Sequence, residues 1–68
     1  MNTIKVIELI GISEKSWEDA ANNAILEAQK TIENITGLEV VAQTAKVENN
    51  QITVFRTNVK VAFVISEG

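Results

Sequence analysis

The 68-residue chain contains no cysteine, histidine, proline or tyrosine. Without cysteine, disulfides and thiolate metal sites are excluded. Without histidine, the commonest transition-metal ligand and the commonest general base are both missing. The serines have no base of the triad kind to activate them, so the reading is of a protein that is not an enzyme. Positive charge is also scarce: six Lys and Arg stand against nine Asp and Glu, for a net charge of −3. With no basic run, nucleic acid is excluded as the main partner. No apolar stretch approaches the roughly 20 residues that span a bilayer. The start, Met1-Asn2-Thr3-Ile4-Lys5, lacks the pattern of a secretory signal, so a cytoplasmic protein with no membrane partner is expected. Linkers, repeats and low-complexity segments are absent too, which leaves one domain over residues 1–68. A domain this small buries only about 60% of the surface its unfolded chain exposes. Such chains usually add disulfides, a metal or oligomerisation. Oligomerisation is the remedy left open here.

What is present reads as an α+β chain of order β-α-β-β. Ile4 to Gly11 is rich in β-branched residues, ends at a glycine and has apolar side chains on both faces. A helix follows, with Ser13 as its N-cap, Glu14 and Glu18 near the positive dipole end, and Ile12 and Trp17 in the positions of a hydrophobic staple. Its apolar stripe is Trp17, Ala20, Ala21, Ala24, Ile25, Ala28, Ile32 and Ile35; this stripe is mostly alanine, which allows close approach to a sheet. Gly37 is the expected helix stop. A second strand runs from Leu38 to Val47, Asn49-Asn50 forms a tight turn, and a third strand runs from Gln51 to Ile65. On the third strand Phe55, Thr57, Val59, Val61, Phe63 and Ile65 share one face, with Arg56, Asn58, Lys60 and Ala62 on the other.

One helix covers only one face of a three-stranded sheet. The strands nevertheless place Ile4 or Ile7, Val40 or Val41, Val54 and Val64 on the second face. Unpaired strand edges add to the exposed surface. Closed association with further copies would bury both.

Four stretches, in this order and spacing, resemble the dodecins: Lys5-Val6-Ile7-Glu8-Leu9-Ile10-Gly11-Ile12-Ser13, Thr31-Ile32-Glu33-Asn34-Ile35, Glu39-Val40-Val41-Ala42-Gln43 and Phe55-Arg56-Thr57-Asn58-Val59-Lys60-Val61-Ala62-Phe63. The resemblance spans about Ile4 to Ile65. It implies a three-stranded antiparallel sheet partly wrapping one helix, and a hollow homododecamer. It also implies paired flavins (FMN, FAD or riboflavin) stored or quenched between subunits.

The cofactor-binding positions carried over from the family are Gly37 and Arg56. In flavin-binding dodecins a tryptophan stacks on the isoalloxazine where Gly37 stands, and a glutamine bonds the polar edge of the ring where Arg56 stands. Glycine offers no π-face, and a stacked ring contributes roughly 1–3 kcal/mol. Arginine is a donor only, so it does not replace the amide's donor–acceptor pair. A tryptophan at position 17 together with arginine for glutamine resembles a divergent dodecin subgroup linked to calcium rather than flavin. Two functions therefore stand side by side: a small-molecule shell with a modified pocket, and a structural or calcium-binding assembly.

Three further sites carry a functional and a structural reading. Trp17 is read as a packing residue rather than a stacking platform. Arg56 either grips an anion in a bidentate fork or pairs with Glu39, Glu8 or another subunit's carboxylate, and the ion pair is preferred. Glu14, Glu18 and Asp19 could supply oxygen ligands to calcium through symmetry, yet they also complement the helix dipole, which is preferred; no local calcium loop is visible.

Overall fold

The computed structural model describes residues 3–65. The reading of the start at Met1 and Asn2, and the last three positions of the 1–68 domain, lie outside the described residues. The order is β1 (Thr3–Ser13), α1 (Trp17–Ala28), β2 (Ile35–Glu48) and β3 (Gln51–Ile65). The three strands form one antiparallel sheet in the order β1-β3-β2, and α1 packs on β1 and β3. The α+β, β-α-β-β expectation therefore holds.

The central position of β3 follows from its pattern. Thr57, Val59 and Val61 are the large side chains most fully enclosed, and all three point toward α1. They meet the small side chains of the helix, where Ala20, Ala24 and Ala28 are buried at intervals of four. Gly11 continues this theme from β1, since a Cβ there would overlap the Ala20 carbonyl oxygen and lie 3.1 Å from Ala24 Cβ. The stripe of small residues thus sets how closely helix and sheet approach.

Several boundaries differ from the sequence reading. Gly11 does not end β1, which continues to Ser13 paired with Phe55. Ser13 is consequently still in a strand and is not the N-cap. The cap is Ser16, extended at φ −168, whose Oγ accepts from Asp19 N at 3.0 Å. Ser13 instead donates its hydroxyl to Asp19 Oδ2 at 2.6 Å and accepts from Lys15 N at 2.9 Å, bracing the turn into the helix. Trp17 becomes the first helical residue, and Ile12, 57% exposed, forms no staple with it.

The helix also stops early. Lys30 and Thr31 donate to carbonyls three residues back, tightening the last turn, and Ile32 N still bonds Ala28 O. Asn34, at φ 62, makes the left-handed turn expected of Gly37, and its carbonyl accepts from Val64 N at 3.1 Å. Gly37, with no positive φ, lies within β2 opposite Ala62. Ile35 is the first residue of β2 rather than the last of the stripe. At the far end Asn49 (φ 52) and Asn50 (φ 64) make the tight hairpin turn as expected.

Candidate functional site

The sheet face turned away from α1 is the surface on which both carried-over positions lie. Side chains alternate along a strand, so the enclosure of Thr57, Val59 and Val61 sends Arg56, Asn58, Lys60 and Ala62 outward. Cross-strand register then builds rows across this face. Ile12 and Thr44 flank Arg56, Ile10 and Ala42 flank Asn58, Glu8 and Glu39 flank Lys60, and Val6 and Gly37 flank Ala62. Ile4, the other member expected here, is opposite Val64; Ile7 turns toward the helix and packs on the core. Val40 pairs with the buried Val59, and an irregularity between Val40 and Ala42 accommodates the extra residue Val41.

Gly37 and Arg56 share this face without meeting. Their β3 positions, 62 and 56, are six residues apart, which at about 3.3 Å per residue is roughly 20 Å. One chain therefore does not bring them into a common pocket. A Cβ built on Gly37 meets no atom within 4 Å, so the position is open space with no aromatic plane. Arg56 is exposed, and its cross-strand neighbours are Ile12 and Thr44. The expected intrachain pair with Glu8 or Glu39 does not form, because the register sets both carboxylates opposite Lys60. Among the described residues the sole ion pair is Lys30–Glu27, at 3.2 Å on the helix surface.

Trp17 is held by the fold. Its ring packs edge-on against Phe55, with centroids 4.9 Å apart and planes at 81°. Its indole N–H donates to Thr44 O at 2.8 Å, and its own carbonyl accepts from the buried Thr57 hydroxyl at 2.8 Å. The tryptophan thus ties the helix start to both β2 and β3, a packing role as expected but with Phe55 and Thr44 as partners in place of Ile12. Trp17→Phe keeps the ring contact and removes the indole donor. It is expected to lower stability by about 1 kcal/mol, read from denaturant midpoints at fixed protein concentration; no change would mean the Thr44 bond contributes nothing net.

The acidic residues at the helix start are partly engaged. Asp19 accepts from Ser13, Glu18 and Asp19 lie in the first turn, and no three Asp or Glu residues converge on a common point among the described residues. One feature was not legible in the sequence. Asn58 points outward between Ile10 and Ala42, yet its Oδ1 is shut off from solvent with no hydrogen-bond partner. An asparagine among alternating β residues looks like an ordinary surface position.

Comparison with known proteins decides the family. The family model described as Dodecin matches residues 3–66. The chain belongs to the dodecin family. A relative named calcium dodecin, from Mycobacterium tuberculosis, is 33% identical over 63 residues, covering 93% of this chain and 89% of that protein. Among solved structures, the dodecin of Streptomyces davaonensis superposes with a TM-score of 0.92 at 29% identity, covering 97% of each chain. The crystal structure of the M. tuberculosis calcium dodecin, described as having a novel calcium-binding site, gives a TM-score of 0.82 at 30% identity, covering 97% of this chain and 94% of that one. No helix of this dodecin-family chain is long and apolar enough to cross a membrane among the described residues.

Proposed function

We propose that the chain assembles into a closed homo-oligomeric shell, a homododecamer as the family resemblance implies. In this reading the shell works in the cytoplasm and binds or stores a small anionic or aromatic molecule between subunits, without catalysing its conversion. The observation that carries this is Arg56, a guanidinium with no carboxylate partner among the described residues, set on an exposed face with Ile12 and Ile10 close by. A cation so placed is suited to a bidentate contact with a phosphate or carboxylate. The roughly 20 Å between Arg56 and Gly37 means that a pocket using both draws them from different subunits. Flavin would bind weakly, because Gly37 supplies no stacking plane.

A second reading, calcium binding, is favoured by the 33% identity to a relative named calcium dodecin. Calcium takes six to eight oxygen ligands. Since no three carboxylates converge among the described residues, ions would be shared between subunits, with Glu14, Glu18 and Asp19 as the donors to test.

Native mass spectrometry and calorimetric titration separate the readings. The shell reading expects a single high-mass oligomer that takes up FMN weakly, or an anion such as inorganic phosphate or a nucleotide, and loses that uptake in Arg56→Ala. The calcium reading expects a melting temperature that rises with calcium and falls with chelator. A monomer, or an oligomer indifferent to all of these, would overturn both.

A further inference from the structure

Arg56 has a second cation beside it. The pairing of β2 with β3 is continuous from Thr44↔Arg56 through Ala45↔Phe55 to Lys46↔Val54, so Thr44, Lys46, Val54 and Arg56 all project from the outward face. Lys46 is thus the diagonal neighbour of Arg56, about 7–8 Å away and within reach of long side chains. Both are exposed, and among the described residues neither has a carboxylate partner. The acid nearest to Lys46 in the sequence, Glu48, is engaged elsewhere. Its Oε1 accepts from Thr53 Oγ1 at 3.0 Å, and Thr53 has the parity of Phe55 and Thr57, on the helix side of β3. The Thr44 hydroxyl stands beside both cations, on a strand held at that point by the 2.8 Å bond from Trp17 Nε1 to Thr44 O.

These groups select a ligand by charge and by shape. Two cations and a hydroxyl match the three terminal oxygens of a phosphate monoester, which carries about −1.5 to −2 near pH 7. Further along β3 the row of Glu8, Lys60 and Glu39 is net negative, which disfavours a second phosphate in that direction. The surroundings are aliphatic: Ile12 beside Arg56, and the pair Val47 and Ile52 toward the hairpin turn, are 57%, 62% and 49% exposed. The chain's one tryptophan and two phenylalanines lie elsewhere, Phe55 and Phe63 on the helix side of β3 and Trp17 on the helix itself. The same face of a further copy adds no ring either. We propose that Lys46, Arg56 and Thr44 form a phosphate-monoester site, which holds its ligand by the phosphate and packs a non-aromatic carbon chain rather than a flavin ring. The site rests on the binding reading above and gives it a second cation and a ligand class.

Calorimetric titration of the assembled protein with n-butyl phosphate, n-butyl sulfate, FMN and riboflavin tests it. Butyl phosphate should bind, and butyl sulfate, of like shape with one charge fewer, should bind roughly tenfold more weakly. FMN should bind no more than a few-fold tighter than butyl phosphate, and riboflavin, which lacks the phosphate, should not bind detectably. Lys46→Ala and Arg56→Ala should each weaken butyl phosphate binding roughly tenfold or more, whereas Lys46→Arg should keep it. Native mass spectra check that each variant retains the oligomer; Lys46→Gln, which keeps length and loses charge, serves where Lys46→Ala does not assemble. Equal binding of butyl sulfate and butyl phosphate, or full affinity in the assembled Lys46 variants, would overturn the two-cation site and leave the Arg56 reading standing. Riboflavin bound as tightly as FMN would do the same, since the ring would then carry the affinity. An assembled wild type that binds none of the four would remove the binding reading together with this site.

Discussion

Gly11→Ala should abolish the folded subunit at ordinary temperature. The added Cβ would overlap the Ala20 carbonyl oxygen and come within 2.8 Å of its carbon, both belonging to helix backbone that no rotamer change can move. Relief requires α1 to lift away from β1. That movement would also open the contacts of Ala24 with Val59 and Val61, the buried cluster of this small core. Overpacking commonly costs about 1–3 kcal/mol, and a clash with backbone belongs at or above the top of that range. Of the described apolar residues only Ala20, Ala24, Ala28, Val59 and Val61 are buried, so the lone chain has little stability to lose. Denaturant midpoints followed by circular dichroism, at fixed protein concentration, report the loss. Gly37→Ala is the control: its Cβ meets open space, and replacing a strand glycine should be neutral or stabilise by roughly 0.5–1 kcal/mol. Equal loss in both variants would contradict the close helix–sheet contact at Gly11.

Gly37→Trp combined with Arg56→Gln is expected to confer flavin binding. The indole would supply the missing stacking plane, and the carboxamide would replace a donor-only group with a paired donor and acceptor. Stacking at about 1–3 kcal/mol corresponds to roughly 5- to 150-fold tighter binding. Nothing at Gly37 opposes the change, since its backbone is free of positive φ and its Cβ direction is empty. Quenching of FMN fluorescence on titration reads the gain. Because the two positions lie roughly 20 Å apart in one chain, dilution below the assembly concentration should erase it. An assembled double variant that still ignores FMN would show that the pocket differs by more than these two side chains.

The parts of the fold legible in the sequence were those set by short-range pattern. Alternation along β3 marked Thr57, Val59 and Val61 as the core face, and alanines at intervals of four marked the buried side of α1. Paired asparagines marked the hairpin turn, because asparagine tolerates the left-handed conformation that both residues adopt. Element ends were less legible. Ser13 and Ser16 are equally good caps in isolation, and pairing of Ser13 with Phe55 settles the choice for Ser16. Asn34 and Gly37 are both suited to ending a helix, and the reach of β2 back to Ile35 assigns that turn to Asn34.

For the candidate site the division is similar. Residue types alone determined what this chain lacks: thiolate, imidazole, a basic run, and a π-face at position 37. They also determined that both Arg56 and Lys60 share a face, since strand parity follows from sequence number. Only the tertiary structure decided the cross-strand partners. Glu8 and Glu39 fall beside Lys60 rather than Arg56, Gly37 falls far from Arg56, and Asn58 is left with an orphaned acceptor. Register is set by long-range pairing and by the irregularities of β2, where shifts occur at Ile35/Gly37, Val40/Ala42 and Lys46/Val47. Each such shift moves a side chain relative to its neighbours on β3, and no local pattern in the sequence encodes that displacement.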